Sequence, residues 1–245
     1  MKRRILKLSI IALVSLALCL GMLGIKALIS TKYASQRMAE RWQGGSVNYA
    51  QLTWFLPQSD GYTTNSVTSW RRSIDSAFAN EAITFENEDA RLWIDCYSGE
   101  GTVYLSNSSS SVSARAIVTG GDFFAFHPLS MLYGWYYYDD DVMDDAVILD
   151  KNLAWQLFGG YDLQGMSIEI NGRYCLVAGV CDLPDTKAEL DSYTDEPTVY
   201  LSASLMERIA GEISITCYEV AVPDPVSGFA AEKVGNALDF PRGRY

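Results

Sequence analysis

The chain has 245 residues with 49% hydrophobic and 20% charged side chains, enough for an apolar N-terminal segment and one sizeable domain or two small lobes. Of its 19 Lys and Arg, seven lie in residues 1–37, which hold no acid, so the other 12 face all 30 Asp and Glu and the formal net charge from Met38 onward is −18. A surface of that sign repels phosphate backbones and excludes nucleic acid as a partner.

The first element is the charge-free run Leu8–Ile25, close to the roughly 20 residues an α-helix needs to span a bilayer core. Lys2, Arg3, Arg4 and Lys7 precede it, which predicts a cytoplasmic N-terminus, a single pass and everything after Ile25 outside the cell membrane. A cleaved signal peptide is the competing reading; against it, the run exceeds the usual apolar core and Gly24-Ile25-Lys26-Ala27-Leu28 is a poor cleavage site. Cys19 sits within the run beside bulky Leu18, and reads as a lipid-facing or helix-packing residue rather than a lipidation site. Residues 1–31 are therefore assigned to the basic flank and membrane helix.

Residues 32–45 follow as a stalk, since Lys32 to Trp42 contains good helix formers and no breaker before Gly44-Gly45. Residues 46–245 are assigned to the extracytoplasmic domain. Ser46 to Phe55 reads as its first strand, Pro57 to Gly61 as a turn, and Asn65 as the N-cap of a helix burying Val67, Trp70, Ile74, Ala77 and Phe78. Arg91 to Tyr97, Thr102 to Ser106 and Val112 to Val118 read as three short strands, separated by Ser98-Gly99-Glu100-Gly101 and by a serine-rich, flexible tip at Asn107 to Ser111.

The middle of the chain holds the aromatic run Trp135-Tyr136-Tyr137-Tyr138, a candidate contact surface for a partner or apolar ligand, with core packing of alternate rings as the competing reading. The acids from Asp139 to Asp145 lack the spacing of a calcium loop and read as a solvated segment. Beyond them come strand Ala146 to Leu149, a helix from Lys151 to Phe158 capped by Asp150, a stop at Gly159-Gly160, strand Met166 to Ile170, the turn Asn171-Gly172 and strand Arg173 to Val180. Thr198 to Leu201 and Ile213 to Val222 complete the strands, with Ser202 to Ala210 and Pro225 to Leu238 helical. Without the long crossovers of a βαβ rhythm, the class is α+β: one N-terminal transmembrane helix, then a mixed domain of one lobe or two.

Catalytic chemistry is not signalled. No P-loop and no G-x-S-x-G elbow occurs, nothing singles out a carboxylate pair among the acids, and the lone His127 reads as a packing or surface residue. Four cysteines follow the apolar run: Cys96, Cys175, Cys181 and Cys217. Cys175 and Cys181 share one predicted strand and stand about 20 Å apart, too far to bridge each other, so any disulfide would be long-range. With no C-x-x-C pair and a single histidine, no metal or cofactor is expected, and the chain is read as not an enzyme.

Three segments in order resemble a known family: Ala116-Ile117-Val118-Thr119-Gly120-Gly121-Asp122-Phe123-Phe124; the Gly134 loop followed by acids and Ala146-Val147-Ile148-Leu149; and Ala154-Trp155-Gln156-Leu157-Phe158-Gly159 leading to the Leu163–Val180 run. The last is similar to the "A-x-x-L-F-G … I-x-I-x-G" run of the MacB-like periplasmic core in MacB/FtsX-type ABC transporter permeases. The resemblance covers most of the chain and is best from Ala146 to Leu201. It implies an outer domain following a first membrane helix, with a separate ABC ATPase and further permease helices as partners in export or mechanotransmission. Such permeases return to the membrane for three more helices, whereas this sequence stops at Tyr245 without a second hydrophobic run, and so reads as a truncated permease or a stand-alone relative. The alternative is a stand-alone single-span extracellular binding module using Trp135 to Tyr138.

Overall fold

The computed structural model describes residues 13–22, 24, 34–42, 47–79, 81, 91–138, 141, 144–183, 196–238 and 240. Residues 13–22 are helical, with Leu13, Leu16, Leu18 and Leu20 exposed. Among the described residues no helix is long and apolar enough to cross a membrane, and the expected span Leu8–Ile25 lies partly outside them.

The domain is built on one nine-stranded sheet. In chain order its strands are β1 (Tyr49–Phe55), β2 (Ile94–Ser106), β3 (Ser111–Gly121), β4 (Met131–Gly134), β5 (Ala146–Asp150), β6 (Ser167–Ile170), β7 (Arg173–Cys181), β8 (Thr198–Ser202) and β9 (Cys217–Pro223). They are arranged β1-β9-β2-β3-β8-β5-β7-β4, and β6 pairs with β2 and β7 beside that path. Only β3–β8 and β5–β7 run parallel. Among the described residues six helices flank the sheet: α1 (Met38–Trp42), α2 (Thr64–Phe78), α3 (Phe123–Phe126), α4 (Lys151–Phe158), α5 (Ala203–Ala210) and α6 (Phe229–Leu238). The α+β class holds, with two cores on one sheet in place of two lobes.

Strand alternation sends successive side chains to opposite faces. On the larger face Trp54, Tyr97, Val103, Leu105, Val118, Leu149, Leu201, Tyr218 and Val220 meet Trp70, Ile74 and Phe78 of α2, Leu153 of α4, Leu205 of α5 and Val234 of α6. The smaller face packs Ile94, Cys96, Ile148, Cys181 and Ala221 under Met38 of α1 and Phe123, Phe124 and Phe126 of α3. A polar knot is embedded in the larger core. Arg71 donates two hydrogen bonds to Asp95, from Nε at 2.7 Å and Nη2 at 2.9 Å, and the Tyr218 hydroxyl donates to the same carboxylate at 3.0 Å. Two fixed donors on one buried carboxylate set the angle of α2 against the sheet.

Several elements form as the residues predict. Asp150 accepts from Leu153 N at 2.6 Å to cap α4, which ends at Gly159 with φ 67°. Ser202 caps α5 through Leu205 N. Asn171 and Gly172 both take positive φ in a two-residue β6–β7 turn, whose twist matches that of the strands.

Others differ. The helix expected to be capped by Asn65 is α2, capped two residues earlier by Thr63 in a reciprocal box with Ser66. Ser98 to Gly101 is not a turn: it runs inside β2 as a continuous ladder with β3. A Cβ at Gly99 would lie 2.5 Å from Ser214 O and one at Gly101 2.8 Å from Met206 Cε, so these glycines mark close approach, not chain reversal. The serine-rich tip is tied down rather than loose, because Asn107 Oδ1 accepts from Ser109 N and Ser110 N, and its Nδ2 reaches Leu157 O at the end of α4. The last strand begins at Cys217 rather than Ile213, since Ile215 N and Thr216 N are drawn to Tyr62 O and Ser98 O.

Asp150 links two elements, because its second oxygen accepts from Thr198 N at 2.8 Å and so fastens α4 to β8. Replacing it by Ala removes a cap and strands a buried N–H, and urea unfolding of Asp150→Ala is expected to show a loss of about 2–4 kcal/mol, with Asp150→Asn losing roughly half as much.

Candidate functional site

The aromatic run leaves the sheet from β4, where Gly134 has φ 82° and a Cβ would stand 2.0 Å from Ala178 O. Trp135 N then donates to Ala178 O, and the four rings divide between solvent and core rather than forming one surface. Tyr136 stacks on Phe124 with centroids 4.6 Å apart, while its hydroxyl accepts from Leu129 N and donates to Leu129 O. Tyr137 is buried and shares a 2.8 Å hydrogen bond with Thr119. Only Trp135 and Tyr138 project into solvent. The expected four-residue contact surface is thus two exposed rings flanking two neighbouring inner ones, Tyr136 seated on Phe124 and Tyr137 bonded to Thr119.

The described acids after Tyr138 do not converge either. Asp141 accepts from Tyr138 N, Asp144 is paired with Arg208, and Asp145 lends only its backbone carbonyl, to Leu176 N. The hydrogen bond from Arg208 holds the Asp144 carboxyl below its usual range. Asp139, Asp140, Val142 and Met143 lie outside the described residues.

The stalk expectation is corrected over residues 34–42. A 3₁₀ turn at Ala34–Gln36 precedes α1, and Met38 and Ala39 are buried against the sheet, so the segment is docked rather than continuing outward as one free helix. Residues 32–33 and 43–45 lie outside the described residues. The cause is a set of long-range polar contacts. Gln51 of β1 donates to Ser35 O at 2.6 Å and accepts from Met38 N at 2.9 Å, and Arg41 Nη2 donates to Ala34 O and Phe126 O.

Beneath that joint lies a cluster the sequence reading did not assemble. Cys96 on β2 and Glu219 on β9 are direct cross-strand partners, and His127, held by its N–H to Phe123 O at the end of α3, joins Glu219 through Nε2. Glu219 is 4% exposed. Its Oε1 accepts from Thr53 Oγ1 at 2.9 Å and Gln51 Nε2 at 3.1 Å, while Oε2 faces His127 and, at 3.7 Å, Cys96 Sγ. Burial works to raise the Glu219 carboxyl, but the hydrogen bond with His127 and those from Thr53 and Gln51 outweigh it and hold it below its usual value. Burial, reinforced by the Glu219 charge, pushes the Cys96 thiol well up. One sequence signal was available: Gln51 and Thr53, Cys96, and Glu219 are same-face positions of three strands once their pairing is known.

The profile of the MacB-like periplasmic core domain matches residues 11–234, and the chain belongs to that family. Two solved structures share its fold. The extracellular domain of the noncanonic ABC-type transporter YknZ from Gram-positive bacteria aligns with a TM-score of 0.51 and 12% identity, over 78% of this chain and 93% of that one. The periplasmic region of MacB from Actinobacillus actinomycetemcomitans aligns with a TM-score of 0.52 and 18% identity, over 77% and 82%. No curated protein sequence matches the chain.

Two outcomes follow from this geometry. Tyr137→Phe, which leaves Thr119 short of a partner, is expected to cost about 1–2 kcal/mol in urea unfolding, whereas Trp135→Ala and Tyr138→Ala each change stability by about 0.5 kcal/mol or less. Gln51→Ala should speed amide exchange across residues 38–42 roughly tenfold, with exchange in β2 and β3 unchanged.

Proposed function

We propose that the chain is the extracytoplasmic part of an ABC transporter permease of the MacB/FtsX type, without catalytic activity of its own, coupling a separate ATPase to export or mechanotransmission. The observation that carries this reading is the docking of residues 34–42 on the sheet. The segment that follows the basic-flanked apolar run is held by Gln51 and by Met38 packing, so displacement of that run is passed to β1 and the smaller core. Family membership over residues 11–234, which takes in most of the apolar run, supports the same assignment. In this reading the N-terminus is cytoplasmic, Leu8–Ile25 spans the membrane once, and further permease helices and the ATPase complete the assembly.

The solvent-facing Trp135 and Tyr138 favour a second reading, a single-span extracellular interaction module that works without an ATPase.

Affinity capture of the full chain from gently solubilised membranes separates the two. Co-recovery of an ATP-binding subunit at near-stoichiometric yield is the expected result; recovery of the chain alone across several detergents would replace the transporter reading with the interaction module.

A further inference from the structure

We propose that Cys96, His127 and Glu219 form a three-ligand zinc site at the joint between the N-terminal segment and the sheet. Among the described residues this is the one group of three or more His, Cys, Asp or Glu side chains whose ligand atoms converge, all within 4.8 Å of one another. The site stands on this geometry and not on the transporter reading.

The donor set is one sulfur, one imidazole nitrogen and one carboxylate oxygen. Calcium and magnesium take oxygen ligands, whereas zinc accepts all three types. Tetrahedral zinc with bonds of about 2.3 Å to sulfur and 2.0 Å to oxygen places those two atoms about 3.5 Å apart, and Cys96 Sγ stands 3.7 Å from Glu219 Oε2. His127 and Glu219 are in direct contact through Nε2 and Oε2, and an entering ion parts them to a similar edge. The charges also balance. When Zn²⁺ binds, the Cys96 thiol proton leaves to solvent and the proton on His127 Nε2 passes to Nδ1 or to solvent, so that a neutral imidazole, one thiolate and one carboxylate ligate and the two anions cancel the charge of the ion, leaving a neutral buried centre.

Two further features match a metal site better than a simple ion pair. The Glu219 oxygen that faces away from the cluster is occupied by Thr53 and Gln51, the outer-shell pattern that orients a ligating carboxylate. The Cys96 thiol contributes nothing that a His–Glu pair requires, yet it lies against the same oxygen. His127 supplies access, because its side chain is 31% exposed while those of Cys96 and Glu219 are enclosed; the fourth position is left to water. Since Gln51 also holds Ser35 and Met38, occupancy of the site stiffens the docking of α1.

The test uses the full chain in detergent micelles, stripped with chelator, then titrated with Zn²⁺ and separately with Co²⁺ as a spectroscopic probe. One equivalent of Zn²⁺ is expected to bind and raise the thermal midpoint. His127→Gln and Cys96→Ser should each weaken binding by more than about 100-fold and Gln51→Ala by about tenfold. The Co²⁺ form should show thiolate charge-transfer absorption that Cys96→Ser abolishes and Cys217→Ser retains. Circular dichroism of the metal-free variants establishes that they fold, and His127, part-exposed at the end of α3, can be changed without opening the core. Absence of stoichiometric binding by the unmodified chain, or affinities unchanged in both His127→Gln and Cys96→Ser, would overturn the assignment.

Discussion

The sheet depends on where β9 lies. The last strand of the chain is inserted between the first two, pairing antiparallel with β1 over Tyr49–Phe55 and with β2 over Ile94–Ser98. Its neighbouring residues Tyr218 and Glu219 point to opposite faces, and each is the polar anchor of its side. Tyr218 reaches Asp95 and, through it, Arg71 of α2; Glu219 gathers Thr53, Gln51, His127 and Cys96. Buried carboxylates with several donors have few alternative arrangements, since any other pairing leaves charge uncompensated. A register slip of one residue would exchange the two faces and break both knots at once.

That arrangement relates the larger core to the smaller one. The larger face carries four helices and supplies most of the apolar burial, whereas the smaller face is closed by α1, α3 and the stretch from Leu129 to Tyr138. α1 and α3 are short, and isolated helices of that length are marginal in water. Their positions are therefore set by side chains that reach across the chain: Gln51 to residues 35 and 38, Arg41 to Phe126 O, Tyr136 to Leu129. On that face few bonds hold a small cover, whereas the larger core is closed by four helices.

Local chemistry made part of this fold legible and left the rest hidden. Asp150, Gly159 and the Asn171-Gly172 pair act on their own neighbourhoods, so the helix between the first two and the hairpin around the third could be read directly. Gly99 and Gly101 carry the same residue type with a different cause, the crowding of Ser214 and Met206 from distant parts of the chain. The Trp135 to Tyr138 run holds both a surface and a core, and only the distant partners Phe124, Leu129 and Thr119 decide which ring belongs to which. Least visible was the Cys96–His127–Glu219 grouping: its members are separated by up to 123 residues, and no spacing rule connects a strand to the far strand that pairs with it. The family segments fared better because their glycines and alternating apolar residues specify a fold, and the fold is what they share.

The two ends of the described domain meet at one edge strand. α1 lies on one face of β1, while α6 and Phe240, whose ring packs on Trp54 and Trp70, cover the other. Among the described residues β1 is joined to the sheet by seven antiparallel residue pairs with β9 alone. A pull along the strand axis is shared by that whole ladder, whereas a pull away from the sheet edge opens it one pair at a time. The same strand is thus stiff to shear and compliant to peeling, and the direction in which tension arrives decides whether the domain moves as a block or yields first at its border.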